Sequence, residues 1–64
     1  MDQIKIGQFI AACRKEEKLT QLQLADKLGI TDKAISKWER GKAMPDSALM
    51  LELCAILNIS VNDL

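Results

Sequence analysis

Histidine and tyrosine are absent from the 64 residues, and the aromatic side chains are limited to Phe9 and Trp38. Cys13 and Cys54 are the only thiols. A four-ligand Cys/His zinc site cannot be built within one such chain, and neither can a Ser-His-Asp or Cys-His catalytic set. Glycine is scarce, at three residues, and Gly41-Lys42 lacks the preceding glycine of a phosphate-binding P-loop. No pair of carboxylates is arranged for acid–base work. An enzyme is therefore not expected, nor a cofactor, a metal or a small-molecule ligand. No apolar run approaches ~18 uninterrupted residues, so no membrane span is expected. The N-terminus opens on polar residues without the basic start and apolar run of a leader. Two thiols without a leader point to a reducing, cytoplasmic location.

What is present describes one small globular domain over residues 1–64. The chain is 48% hydrophobic and 28% charged, too apolar for a disordered segment. A domain of this size buries only roughly 60% of its unfolded surface, so the core is thin and mostly aliphatic. Nine basic residues balance nine acidic ones, which counts against a uniformly basic nucleic-acid-binding surface. The distribution is uneven, however. Residues 33–42 hold Lys33, Lys37, Arg40 and Lys42 against Glu39 alone, whereas residues 43–64 hold Asp46, Glu52 and Asp63 and no base.

Every periodic segment has helical spacing. Ile6, Phe9, Ile10 and Cys13 mark one face of a first helix, which Asp2 can cap and which ends near residues 16–18. Thr20-Gln21-Leu22-Gln23 spells a capping box for a second helix facing inward through Leu24, Ala25 and Leu28, and Gly29 stops it. Thr31 caps a third helix, which buries Ile35 and Trp38 and stops at Gly41. Pro45-Asp46 opens a fourth, with Leu49, Met50, Leu53, Cys54 and Leu57 on one face and Asn58 as its turn. Ser60-Val61-Asn62-Asp63 reads as the cap of a fifth. Loops of 2–5 residues force neighbouring helices together, so the expected fold is compact and all-α with five helices.

Residues 21–40 carry the functional information. Two helices of about eight residues meet at a turn centred on Gly29. Helices crossing at ~90–120° need a small residue where they touch, which Ala25 supplies, and a left-handed residue in the turn, which Gly29 supplies. Leu24, Leu28, Ile30, Ile35 and Trp38 seal the corner. Asp32, Lys33, Ser36, Lys37 and Arg40 are left as one outward polar stripe.

This window resembles the helix-turn-helix of the phage lambda and 434 repressor and Cro-like (XRE) family of transcriptional regulators. Leu19-Thr20-Gln21, Leu24-Ala25, Leu28-Gly29, Ile35-Ser36, Trp38-Glu39, Gly41-Lys42 and Pro45-Asp46 carry the likeness, which covers about residues 4–64. The resemblance implies a lambda-repressor-like domain that binds double-stranded DNA sequence-specifically, most often as a repressor. The helix over residues 31–40 would enter the major groove, where each base pair shows a distinct donor and acceptor pattern. Asp32, Lys33, Ser36 and Lys37 would face base edges. Thr20, Gln21, Thr31, Arg40 and Lys42 would meet the phosphate backbone. Arg14 would pair with Glu39, a structural tie between the first and third helices.

The family binds as a homodimer on a two-fold operator, with half-site centres about 10–10.5 bp apart or a multiple of that. A monomer or weak dimer that pairs on DNA is expected. Lys18 and Asn58 depart from the family pattern, which often has glycine at both places. Leu22 and Leu51 fit no inward face and are available to a partner. An antitoxin-like or other protein–protein module on the same scaffold is the alternative function, since fold alone does not fix activity.

Overall fold

The computed structural model describes residues 2–63. Four α-helices follow one another: α1 (Gln3–Glu16), α2 (Gln21–Leu28), α3 (Asp32–Glu39) and α4 (Ser47–Leu57). Each starts where short-range chemistry supplies an acceptor for its free N–H groups. The Asp2 carboxylate accepts from the N–H groups of Ile4 and Lys5. Thr20 and Gln23 form the reciprocal capping box, at 3.0 and 2.8 Å. Thr31 Oγ1 accepts from Ala34, and Asp46 Oδ1 accepts from Leu49 at 2.9 Å.

All four helices end in the same way. A left-handed residue follows each: Lys18 (φ 58°), Gly29 (φ 70°), Gly41 (φ 73°) and Asn58 (φ 58°). The N–H of the next residue reaches back to a carbonyl five positions earlier: Leu19 to Arg14, Ile30 to Ala25, Lys42 to Lys37 and Ile59 to Cys54. This is the Schellman arrangement, which normally folds an apolar residue back onto the helix. Leu19, Ile30 and Ile59 do so and pack against the core. Behind α3 the same position is Lys42, which is exposed.

The expected fifth helix is not an α-helix among the described residues. Val61–Asp63 form one 3₁₀ turn. Its cap exists, since the Ser60 N–H donates to Asp63 Oδ2 at 2.8 Å and the Asn62 N–H to Ser60 Oγ at 3.0 Å. The Asp63 N–H then bonds to the Ser60 carbonyl three residues back, which is 3₁₀ and not α spacing. Leu64, where that expected helix would be starting, lies outside the described residues.

The core sits where α3 packs against both α1 and α2, with α4 closing on α2. Ile10, Leu24, Ala25, Ile35 and Leu53 are fully buried, joined by Ile6, Leu28, Trp38 and Leu57. Burying a Leu or Ile side chain contributes roughly 1.5–3 kcal/mol, so these few contacts set most of the stability. Phe9, Leu49 and Met50 lie on the expected faces but stay half-buried. Leu22 and Leu51 are exposed, at 57% and 64%. The helix packing depends on Gly7, which is buried against the end of α3. A Cβ there would stand 2.2 Å from the Trp38 carbonyl oxygen and 2.9 Å from that of Glu39. No helix among the described residues is long and apolar enough to cross a membrane.

Candidate nucleic-acid interface

The turn between α2 and α3 is tight because Gly29 adopts a left-handed backbone that L side chains resist. A Cβ at Gly29 would meet nothing, so its backbone angle, not lack of space, demands glycine. Ala25 and Leu24 are fully buried beneath the corner. Ile35 and Trp38 then point α3 inward on one side. The other side carries Asp32, Lys33 and Lys37, all exposed, with Ser36 half-buried between them. Asp32 lies in the first turn of α3 and Lys37 in the last, each complementing the helix dipole.

One polar cluster holds this arrangement from behind. Arg14 Nε donates to Glu39 Oε2 at 2.6 Å and Arg14 Nη2 to Oε1 at 3.1 Å, a two-point ion pair. Arg14 Nη1 also donates to the Leu19 carbonyl at 2.8 Å. Gln21 Nε2 donates to Glu39 Oε1 at 2.9 Å. Glu39 therefore ties the end of α1 and the start of α2 to the last residue of α3, and Arg14 adds the α1–α2 loop. Both charged side chains are nearly covered, at 11% and 9% exposure, so the pair is shielded from salt. Among the described residues no buried side-chain polar atom lacks a partner.

The remaining expected contact residues divide into engaged and unengaged groups. Thr20 has its N–H bonded to Gln23 Oε1, and Thr31 caps α3. The free N–H groups at the start of α2 are thus those of Gln21 and Leu22. One amide hydrogen of Gln21 is held by Glu39, which leaves the other hydrogen and the amide oxygen. Arg40 folds back so that its Nε donates to the Ser36 carbonyl at 3.3 Å. Asp32, Lys33, Lys37 and Lys42 make no side-chain hydrogen bond or ion pair among the described residues. The sequence reading missed two positioning features. The Gln21–Glu39 bond joins residues 18 apart and has no periodic signal. Gly7 did have one, because glycine inside a helix costs about 1 kcal/mol against alanine and needs a packing reason.

Other features offer less chemistry. Cys54 is buried and Cys13 partly so; both are free thiols. Burial pushes both thiols up from the usual value, with nearby carboxylates, Asp63 foremost, adding to it. A shallow groove of about 200 Å³ is lined by Lys5, Ile6, Phe9 and Asp63. No group of three or more metal-ligating side chains is found among the described residues.

A sharp helical corner with an outward basic stripe on its second helix defines a helix-turn-helix domain. The family profile described as helix-turn-helix matches residues 10–64, and the chain belongs to that family. The HTH-type transcriptional regulator YqaE of Bacillus subtilis is 44% identical over 50 residues, 78% of this chain and 43% of that protein. The immunity repressor protein of Bacillus phage phi105 is 37% identical over 57 residues, 89% of this chain and 40% of the repressor. The chain spans less than half the length of either relative. The restriction-modification controller protein C.AhdI from Aeromonas hydrophila has a similar structure, with a TM-score of 0.85 and 29% identity. That match covers 92% of this chain and 86% of the controller.

Proposed function

We propose that residues 1–64 act as one helix-turn-helix domain that binds double-stranded DNA sequence-specifically and regulates transcription, as a repressor. Residues 21–40 form the bihelical unit and α3 lies in the major groove. Asp32, Lys33, Ser36 and Lys37 face base edges. Thr20 and Gln21 at the start of α2, Thr31, Arg40 and Lys42 meet phosphates. The observation that carries this reading is the free state of Lys33 and Lys37. They are exposed on the outer side of a helix whose inner side is sealed by Ile35 and Trp38. The names of the phage and bacterial relatives support it.

The protein works in the cytoplasm without a cofactor and binds as a homodimer on a two-fold site. The surface left for the partner copy lies on α4, where Leu51 is exposed together with Ala48 and Ala55 at helical spacing. Zero net charge makes non-specific affinity modest.

Fluorescence anisotropy with labelled duplex DNA at several salt concentrations tests the reading. Log affinity should fall linearly with log salt. Lys42→Ala should weaken all duplexes alike and reduce the slope by about one. Lys37→Ala should weaken a selected duplex by roughly 1–3 kcal/mol. Parent-like binding by both variants would remove α3 from the interface.

A further inference from the structure

On the outer side of α3, Lys33 and Lys37 have only donors to offer, the Asp32 carboxylate only acceptors, and the half-buried Ser36 hydroxyl one of each kind. The helix, DKAISKWE, contains no asparagine or glutamine. Those are the residues whose amide matches the paired N6 and N7 pattern of adenine. The amides at the start of α2 lie on another helix: Gln23 accepts from the Thr20 N–H, and Gln21 gives one hydrogen to Glu39 and is assigned to a phosphate with the rest. Lys33 and Lys37 stand four residues apart on one side, where like charges destabilise a helix by about 0.2–0.5 kcal/mol. Neither makes an ion pair among the described residues. Lys37 complements the dipole at the end of α3, but Lys33 has neither that role nor an ion pair among the described residues, and neither lysine serves the core.

We infer that α3 reads G·C pairs: Lys33 and Lys37 each donate to O6 and N7 of a guanine, and Asp32 accepts from N4 of a cytosine. This rests on the DNA-binding reading and adds the operator chemistry. Four residues advance about 6 Å along a helix. Bases rise about 3.4 Å per step. The two guanines are therefore on the order of two steps apart. Asp32 also acts by exclusion. Opposite guanine or thymine it faces an acceptor, and its charge repels every phosphate, so it lowers general affinity while it sharpens choice.

Selection of duplexes from a randomised pool by the full 64-residue chain tests this. Each recovered half-site should carry two guanines about two steps apart with a cytosine beside them. Replacing a selected guanine by 7-deazaguanine, which lacks N7, should weaken the parent on the order of tenfold. The same replacement should cost nothing further in whichever lysine-to-alanine variant has lost that contact. Asp32→Ala should bind mixed-sequence DNA more tightly than the parent and discriminate less at the cytosine. Half-sites built from A·T pairs alone would overturn the inference, as would indifference to 7-deazaguanine. Salt-dependent binding without any enriched sequence would overturn it too, while leaving DNA binding intact. Absence of binding at low salt would remove both readings.

Discussion

Replacing Gly7 by alanine sets two known effects against each other. Alanine is the better helix former by about 1 kcal/mol, so on propensity alone the variant gains stability. The added Cβ, however, would lie 2.2 Å from the Trp38 oxygen and 3.0 Å from the Glu39 carbonyl carbon. Both are backbone atoms, and no side chain can rotate away. The end of α3 must retreat by about 1 Å to restore ordinary contact, in an interior packed as densely as an organic crystal. That retreat strains the Gly41 N–H bond to Trp38 O, at 3.1 Å, and the Arg14–Glu39 pair at 2.6 Å. Overpacking typically costs about 1–3 kcal/mol, and a backbone obstacle belongs at the upper end. Gly7→Ala should therefore lose about 2 kcal/mol net, or roughly 8–16 °C in Tm for a domain of this size. Thermal and urea unfolding followed by far-ultraviolet circular dichroism measures it. Ala12→Gly, at an exposed position of the same helix, is the control and should lose only about 1 kcal/mol. A Gly7→Ala protein as stable as the parent would refute the close crossing of α1 and α3.

Three further outcomes follow from the same geometry. Lys18 holds φ 58° without being glycine, so Lys18→Gly should raise the urea midpoint by an amount worth up to about 1 kcal/mol; a fall would mean that its left-handed turn is not strained. Arg14→Met leaves the nearly covered Glu39 carboxylate with only the Gln21 amide, and should cost about 3 kcal/mol in urea unfolding, the low end for a broken buried pair. The Cys13 and Cys54 thiols are raised above 9.0, first by burial. A thiol raised in the folded state holds its proton there more tightly than in the unfolded chain. Its stabilising share is thus complete below pH 9.0 and lost as pH climbs past it, which urea titrations between pH 8 and 10 should record as falling stability.

The helix starts were legible because each is a conversation between residues three apart. Asp2, Thr20 with Gln23, Thr31 and Asp46 all cap where the sequence places a short oxygen side chain before an apolar periodic run. Gly29 and Asn58 were legible for a similar local reason, the preference of those residues for left-handed backbone. The outward positions of Asp32, Lys33 and Lys37 followed from burying Ile35 and Trp38 at helical spacing. Features that depend on distant partners were hidden. Gly7 meets Trp38 and Glu39 across 31 and 32 residues, and nothing local announces which carbonyl needs the room. Gln21 carries a second task because Glu39 has an oxygen to satisfy, which the phosphate assignment alone did not reveal. At Ser60 the cap was legible and the helix was not, since a cap promotes a first turn but does not set its pitch. The proposed partner surface on α4 is only partly legible: Leu51 stands out because it fits no inward face, but an exposed leucine is ordinary on any small domain.

The proposed DNA face is most directly tested by amide chemical-shift mapping of the ¹⁵N-labelled protein titrated with a selected duplex. The largest changes should fall on the N–H groups of residues 31–37, on Gln21 and Leu22, and on Lys42, with α1 residues facing away from α3 unmoved. Changes centred on α4 around Leu51, with residues 31–37 silent, would contradict the account.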